Sequence, residues 1–218
     1  MATTYQVISA GDSRSFPTDH AFLEQQDFYG MARVFVGKDA GKAFAAAGDL
    51  ASRPFVAIEL GTECLGQHTG EKKGQEGSNV VGFARFRMGN AEPSALIELV
   101  RQPQTQDSAV AAAKAAFEAA GFKVAVCGDF PGRIVDRLIR PYLNAALRRL
   151  DERLASADDM DKTLCLGLGY PEGPISLLER TGLAEHHDVT QALYVALGQD
   201  AYAPARRAQV AKARAAQA

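Results

Sequence analysis

The chain has 218 residues, of which 47% are hydrophobic and 23% charged, the ordinary balance of a globular protein with one large domain or two small ones. Its formal net charge of -2 creates no bulk field that would attract nucleic acid or an anionic membrane. No stretch approaches the ~18 continuous apolar residues of a membrane helix, and residues 1–14 lack the basic start and apolar block of a signal peptide. We therefore expect a cytoplasmic protein that binds neither nucleic acid nor membranes.

Up to residue 128, short β-rich runs alternate with alanine-rich helical runs, a pattern typical of a largely parallel α/β sheet. The predicted strands are Tyr5–Ser9, Arg33–Val36, Phe55–Leu60, Val80–Phe86, Ala95–Arg101 and Lys123–Cys127. Two predicted helices, Asp39–Ala47 and Ser108–Ala120, are each followed by a glycine, the expected C-terminal stop. The segment Gly66–Ser78 contains four glycines without periodicity, so we expect an exposed loop there.

From Asp129 onward the spacing is helical, and no β-rich run follows. Apolar residues recur every four positions from Ile134 to Leu154, which predicts the apolar face of a long helix. We expect this helix to begin near Pro131 or Gly132 and to bend at Pro141. The residues expected on its opposite, solvated face are Arg137, Arg140, Asn144, Arg148 and Glu152. Further helices are predicted at Asp158–Leu166, Pro174–Arg180, Glu185–Leu197 and Ala203–Ala216.

The sequence therefore predicts an α/β domain over residues 1–128 and an all-helical domain over residues 129–218. The three cysteines, Cys64, Cys127 and Cys165, are far apart and form no CxxC pair, which argues against a disulfide framework and a zinc site. We expect Cys127 to be a buried small hydrophobe. His186 and His187 are adjacent and point to different faces, so they do not form a chelating pair, and no metal site is predicted.

Two glycine-containing motifs partly match phosphate-binding sequences. Gly37–Lys42 has three residues between its glycines where a P-loop has four, and Ala43 follows the lysine instead of Ser or Thr. Gly167–Gly173 follows a predicted helix rather than a strand, so we expect a helix–helix connection there. After the first strand only Gly11 stands where a dinucleotide-binding turn needs three glycines. The sequence predicts no cofactor-binding residues.

The second half contains three motifs in a characteristic order. They are Asp129–Ala146 (DFPGRIVDRLIRPYLNAA), Asp159–Asp161 (DMD) and Gly167–Pro174 (GLGYPEGP). They resemble the helical C-terminal domain of the 3-hydroxyacyl-CoA dehydrogenases, whose first motif reads roughly D-x-P-G-F-I-V-N-R-L-x-x-P-Y-L-N-E-A, and the resemblance covers about residues 121–218. The first half resembles only the end of that family's NAD-binding domain. It looks like a reduced Rossmann-like domain, of the kind seen inside some two-module members of the family.

The resemblance implies NAD-dependent oxidation of 3-hydroxyacyl-CoA, as in β-oxidation of fatty acids. In the family a His acts as general base, a Glu orients that His, and an Asn contacts the reacting oxygen. Glu98 matches the Glu, but the His position is Ala84 and the Asn position is Asp136. Alanine cannot carry a proton, and an ionised aspartate cannot donate a hydrogen bond. Glu98 is thus the one catalytic candidate.

Each retained carboxylate also has a purely structural interpretation. Glu98 can end its strand in an ion pair with Arg101 or Arg85, and Asp136 can form an i,i+4 pair with Arg140 on the helix surface. Neither interpretation requires any chemistry at the carboxylate.

Three functions are compatible with these residues. The favoured one is a non-catalytic accessory protein that forms a homodimer through residues 129–218 or binds acyl-CoA, without NAD of its own. The second is a dehydrogenase whose nucleotide site is completed by another chain, such as a full-length dehydrogenase. The third is a different activity on a CoA thioester, with Glu98 or Asp136 as an isolated base. The missing glycines and Ala84 favour the first.

Overall fold

The computed structural model describes residues 4–24, 31–72 and 78–217. Packing divides the chain into two compact units. Met1–Arg87 with Pro93–Ile134 form the sheet unit, and Met88–Glu92 with Val135–Ala218 form the helical unit. The predicted fold class, a reduced Rossmann-like α/β sheet followed by an all-helical region, is confirmed. Whether residues 1–128 and 129–218 are independent domains stays a prediction.

In its described residues the sheet unit contains six strands, close to those predicted, and they lie side by side in chain order. All neighbouring strands are parallel except for the antiparallel fourth and fifth. The central strands are apolar on both sides, because helices and loops cover both faces of the sheet. The strands are β1 (Tyr5–Ser9), β2 (Ala32–Val36), β3 (Val56–Glu59), β4 (Val80–Arg85), β5 (Leu96–Arg101) and β6 (Lys123–Gly128).

Within residues 4–24, 31–72 and 78–134, four helices accompany the sheet. They are α1 (Ala21–Glu24), α2 (Ala40–Ala46), α3 (Gly66–Thr69) and α4 (Asp107–Ala119). One face of the sheet packs against α1 and α4 through a group of aromatic rings, Phe16, Phe22, Phe117 and Phe122. The other face packs against α2 and the residues before α3 through Phe35, Ile58 and Leu65.

The prediction of an exposed loop over Gly66–Ser78 is wrong for its first residues, which form α3. The physical reason is Asp129, whose carboxylate accepts hydrogen bonds from the backbone N–H groups of Leu65 and Gly66 at 2.7 and 2.8 Å. Leu65 is itself fully buried and holds the start of this turn against the sheet. Residues 73–77 of the expected loop lie outside the described residues.

The helical unit contains five α-helices and one 3₁₀ turn in its described residues, and no strand follows Gly128 there. The helix–helix connection predicted at Gly167–Gly173 is confirmed from Gly169, which ends the first helix in a left-handed conformation, to Gly173, which precedes the next, whereas Gly167 and Leu168 are still helical. Within the described ranges, no helix combines the length and apolar character needed to cross a bilayer. The helices are α5 (Val135–Asp151), α6 (Ala157–Leu168), α7 (Pro174–Thr181), α8 (Leu183–Leu197) and α9 (Arg206–Ala215), with the 3₁₀ turn at Asp200–Tyr202.

The start of the long helix was predicted too early. α5 begins at Val135 rather than near Pro131 or Gly132. Gly132 and Arg133 have φ angles of 73° and 50°, in the left-handed region, so the chain cannot be helical there. Pro141 lies inside α5 as expected, and the bend at that residue stays a prediction.

The predicted buried face of α5 is only partly confirmed, because Leu143, Ala146 and Leu147 are buried as expected but polar residues share their face. Arg140 and Asn144, which were expected on the solvated face, are fully buried, whereas Leu138 is 74% exposed. The inward residues include Asp136, Arg140, Asn144 and Leu147, which repeat at helical spacing. Hydrophobic periodicity misassigned the face because this helix buries a polar network along with its apolar residues.

Candidate functional site

The two residues that the family resemblance places at the His and Glu positions, Ala84 and Glu98, lie opposite each other in the sheet. β4 and β5 are antiparallel, and their register pairs Ala84 with Glu98. Both residues are buried, with 4% and 1% of their surface exposed. Side chains directly opposite in an antiparallel pair have Cβ atoms ~5 Å apart, so a His at position 84 would lie beside the Glu98 carboxylate. The alanine provides no imidazole for that carboxylate to orient.

Arg133 is the ion-pair partner of Glu98. The Nε atom of Arg133 lies 3.3 Å from Oε2 of Glu98, and the backbone N–H of Ile134 donates to Oε1 at 2.9 Å. Both charged side chains are at least 96% buried. In the family pattern quoted above, position 133 is a Phe. The chain therefore has a cation beside the carboxylate where the pattern has an aromatic ring.

The partners predicted for Glu98 are engaged elsewhere. Arg101 forms an ion pair with Asp107 at 2.7 Å, and the guanidinium of Arg85 donates to the backbone carbonyl groups of Pro93 and Ser94. Glu98 therefore forms an ion pair, as the structural interpretation predicted, but its partner is Arg133 and not Arg101 or Arg85. The sequence did not predict Arg133 as the partner because it lies 35 residues from Glu98 in the chain. The one signal in the sequence is that Arg133 replaces the Phe of the family pattern.

The two cysteines near this site are not activated nucleophiles. Burial, followed by nearby carboxylates that include Asp129, raises the pKa of Cys64 and of Cys127 to about 11, against the opposing effect of Arg133. Both thiols are therefore protonated at neutral pH. Cys127 packs against the apolar cluster around Val100, as expected for a small hydrophobe, but it is partly buried and not fully buried as predicted.

Asp136, at the position of the family's Asn, is held by a second buried arginine. Oδ1 of Asp136 accepts a hydrogen bond from Nε of Arg140 at 2.7 Å, so the predicted i,i+4 pair is confirmed. Its predicted place on the helix surface is wrong, because the side chains of Asp136 and Arg140 are only 4% and 0% exposed. A buried carboxylate with a bound guanidinium does not resemble a neutral amide that donates to a substrate oxygen.

A chain of hydrogen bonds continues from Arg140 across the helical unit. Nη1 of Arg140 lies 3.0 Å from Nδ1 of His186, and Nε2 of His186 lies 3.0 Å from Oδ1 of Asn144. Asn144 in turn donates to the carbonyl groups of Ala201 and Ala203. Since a guanidinium can only donate, Nδ1 of His186 must be the acceptor, and the ring is neutral with its proton on Nε2. The network links α5, α8 and the segment before α9.

The environment of His186 keeps its imidazole neutral. Burial, together with the positive charge of Arg140, lowers the pKa of His186 from 6.5 to about 3. His186 is fully buried, whereas the neighbouring His187 is partly exposed beside Asp188, so the two rings occupy different environments, as their adjacency predicted. Among the residues that the structure describes, no group of three or more His, Cys, Asp or Glu is placed to hold a metal ion.

Comparison with known proteins finds a match for the helical unit. The family model described as 3-hydroxyacyl-CoA dehydrogenase, C-terminal domain, matches residues 132–217. Residues 132–217 are similar to that domain. The resemblance inferred from the sequence motifs is thereby confirmed, and this domain retains its helices even though the family's Asn position is Asp136.

Relatives of known sequence and structure agree with this assignment. The chain is 32% identical over 109 residues to a probable 3-hydroxybutyryl-CoA dehydrogenase of Deinococcus radiodurans, and 37% identical over 102 residues to human mitochondrial hydroxyacyl-coenzyme A dehydrogenase. These matches cover 50% and 46% of this chain but only 39% and 32% of the relatives. The chain therefore shares less than half of each relative's length.

Solved structures extend the fold similarity to the sheet. (S)-3-hydroxybutyryl-CoA dehydrogenase PaaH1 of Ralstonia eutropha matches with a TM-score of 0.70 and 23% identity, over 85% of this chain and 66% of that one. FadB2 of M. tuberculosis matches with a TM-score of 0.69 and 25% identity, over 86% of this chain and 66% of that one. The fold of both regions is thus that of 3-hydroxyacyl-CoA dehydrogenases, with part of those chains lacking a counterpart here.

Replacing Arg133 by Met should destabilise the protein strongly. The variant leaves Glu98 buried without its cation, and breaking a buried pair costs about 3–5 kcal/mol in the free energy of unfolding. The double variant Arg133→Met/Glu98→Met should regain most of that loss, because it removes both charges. Denaturant unfolding measures both effects. Arg149→Met, which breaks a half-exposed pair with Glu152, is the control and should cost less than ~1 kcal/mol. A loss in Arg133→Met no larger than in the control would contradict the buried ion pair.

The stability of the protein should fall as the pH drops from 7 to 5. His186 has a folded pKa of about 3, below the unfolded value of 6.5. Below pH 6.5 the unfolded chain takes up a proton that the folded protein excludes, so this contribution is complete above pH 6.5 and decreases toward pH 3. The slope approaches ~1.4 kcal/mol per pH unit. Urea unfolding at several pH values should show a shallower slope in His186→Gln than in the wild type. An equal slope in the variant and the wild type would refute the assignment.

Proposed function

We propose that this chain is a non-catalytic accessory protein of acyl-CoA metabolism, which by itself neither binds NAD nor oxidises 3-hydroxyacyl-CoA. The observation that carries the proposal is the state of Glu98. It faces Ala84 instead of a His, and its two oxygens accept from Arg133 and from the N–H of Ile134. General-base catalysis contributes ~100- to 10,000-fold to a rate, and Ala84 cannot supply it.

The two buried arginines, Arg133 and Arg140, disfavour base catalysis by Glu98 or Asp136. Arg133 engages Glu98, and Arg140 engages Asp136. A carboxylate oxygen that already accepts from a buried guanidinium has fewer lone pairs free to contact a substrate. This disfavours the third hypothesis, in which Glu98 or Asp136 acts as an isolated base on a CoA thioester.

The sheet offers a dinucleotide a poor fit. In open α/β sheets, dinucleotides bind at the point where the strand order reverses, with a glycine-rich turn after the first strand. The six described strands run in chain order from β1 to β6, without such a reversal. After β1 only Gly11 occupies the turn, at φ 80°. These features support the absence of an NAD site in this chain on its own, and we derive no step through that cofactor.

An assay of NADH formation tests the proposal. The wild-type protein with NAD and 3-hydroxybutyryl-CoA should form no NADH above the background without enzyme. The double variant Ala84→His/Asp136→Asn should be equally inactive, because it restores two catalytic side chains but no nucleotide site. A full-length 3-hydroxybutyryl-CoA dehydrogenase is the positive control. Protein-dependent NADH formation by the wild type would overturn the proposal.

The retained Glu98 and the intact C-terminal domain are also compatible with one alternative function, a dehydrogenase completed by a partner chain. Mixing the protein with a full-length dehydrogenase separates the two ideas. Under the alternative, the mixture forms NADH faster than the full-length enzyme alone, and Glu98→Gln abolishes the increase. Under the accessory proposal, the rate per full-length enzyme is insensitive to Glu98→Gln.

We further propose that the accessory role involves a homodimer formed through residues 129–218. In the described residues, eight of the eleven large hydrophobic side chains that are exposed belong to the helical unit. A helical bundle of this size has a marginal core, so covering apolar surface with a second copy is favourable. The eight are Leu138, Leu154, Leu166, Leu168, Tyr170, Tyr194, Val195 and Val210. Acyl-CoA and a full-length dehydrogenase are the other partners that this proposal admits.

Light scattering tests the dimer. At micromolar concentration the intact protein should have twice the chain mass of 23.3 kDa. Leu166→Arg, at a residue that is 77% exposed in the helical unit, should shift the mass toward the monomer by placing a charge in the interface. Met31→Arg, at a 61% exposed residue of the sheet unit, is the matched control and should leave the mass unchanged. A monomeric wild type would eliminate the homodimer.

A further inference from the structure

The loop after β1 closes around a buried carboxylate that belongs to the chain itself. Glu59, the last residue of β3, is only 6% exposed. Its Oε1 accepts from the backbone N–H of Ser15 at 2.8 Å, and its Oε2 accepts from the backbone N–H of Gly37 at 2.6 Å. The hydroxyl of Ser13 lies 2.9 and 2.8 Å from the two oxygens and can donate to either. Three donors therefore converge on one carboxylate.

The donors around Glu59 are neutral groups held in place by the backbone. Gly37 has a φ of 109°, and a Cβ atom there would collide with the carbonyl oxygens of Ala10 and Gly11. Only glycine lets the strand ends approach closely enough to direct this N–H at the carboxylate. Hydrogen bonds from neutral donors to an ionised acceptor are short and strong. The arrangement is that of a site for an anion.

The three donors around Glu59, here called the cradle, lie together at one edge of the sheet. β1, β2 and β3 are parallel, and Ser13, Gly37 and Glu59 all lie just beyond or at their carboxyl ends. In open α/β sheets, ligands bind at this edge. A crevice of about 190 Å³ borders the cradle, and Lys38 and Leu60 are among its lining residues. The donors thus occupy a place where an anionic ligand could reach them if the carboxylate were absent.

We propose that Ser13, Ser15 and Gly37 form an anion-binding cradle that the chain keeps filled with the carboxylate of Glu59. The negative charge of Glu59 satisfies the donors and repels any phosphate or carboxylate ligand from the crevice. Glu59 is therefore the residue that determines which ligands this edge of the sheet excludes. The inference concerns anion binding alone and holds or fails independently of whether the chain is an accessory protein.

The variant Glu59→Ala tests the proposal by emptying the cradle. Its thermal midpoint should lie below that of the wild type in sodium chloride and should rise saturably with sodium acetate or inorganic phosphate at equal ionic strength. Acetate alone would identify a cradle sized for a carboxylate, and a response to both anions would identify a general anion site. Glu63→Ala removes a less buried carboxylate from the same crevice, where it accepts from Gly61. That control and the wild type should not respond to either anion.

Two results would overturn the proposal. The first is a Glu59→Ala protein that responds to acetate and phosphate no more than the wild type does, or that fails to fold in every anion. The second comes from Glu59→Gln, which preserves the side-chain volume but turns an amide donor against the cradle's donors. Its midpoint should fall and should stay insensitive to anions, so a Gln variant as stable as the wild type would show that the carboxylate charge is not required.

Discussion

A carboxylate removed from water must find a partner, because burying an unpaired charge costs far more than the stability of a typical domain can offset. Three of the buried carboxylates in the described part of the chain shape this protein. Glu98 is held by Arg133, Asp136 by Arg140, and Glu59 by three neutral donors. The left-handed turn at Gly132–Arg133, the polar face of α5 and the closed loop after β1 all follow from satisfying them.

The first two of these carboxylates occupy positions where the family resemblance implies catalytic residues. Catalysis needs groups that remain available to a substrate, whereas Glu98 and Asp136 are each engaged by a buried arginine. The helical domain has nevertheless kept the family's fold over residues 132–217.

The helical unit is organised by polar contacts as much as by apolar ones. The chain from Asp136 through Arg140 and His186 to Asn144 links α5, α8 and the backbone before α9. Fully buried networks of this kind are sensitive to the loss of any member. Because they occupy the inner face of α5, apolar residues such as Leu138 remain outside. The same arrangement thus stabilises the unit and leaves it with surface suited to association.

The sequence by itself determined the six strands, the change to helices after residue 128 and the family of the second half, because alternation, helical spacing and glycine stops are local properties of the chain. It also singled out Glu98, Ala84 and Asp136 as the residues at the positions where the family resemblance implies a Glu, a His and an Asn. Only the tertiary structure decided that Arg133 pairs with Glu98 across 35 residues, and that α5 turns Arg140 and Asn144 inward. Hydrophobic periodicity assigns polar residues to solvent, and it fails where charges neutralise one another inside the fold, because the compensating partner is chosen by proximity in space.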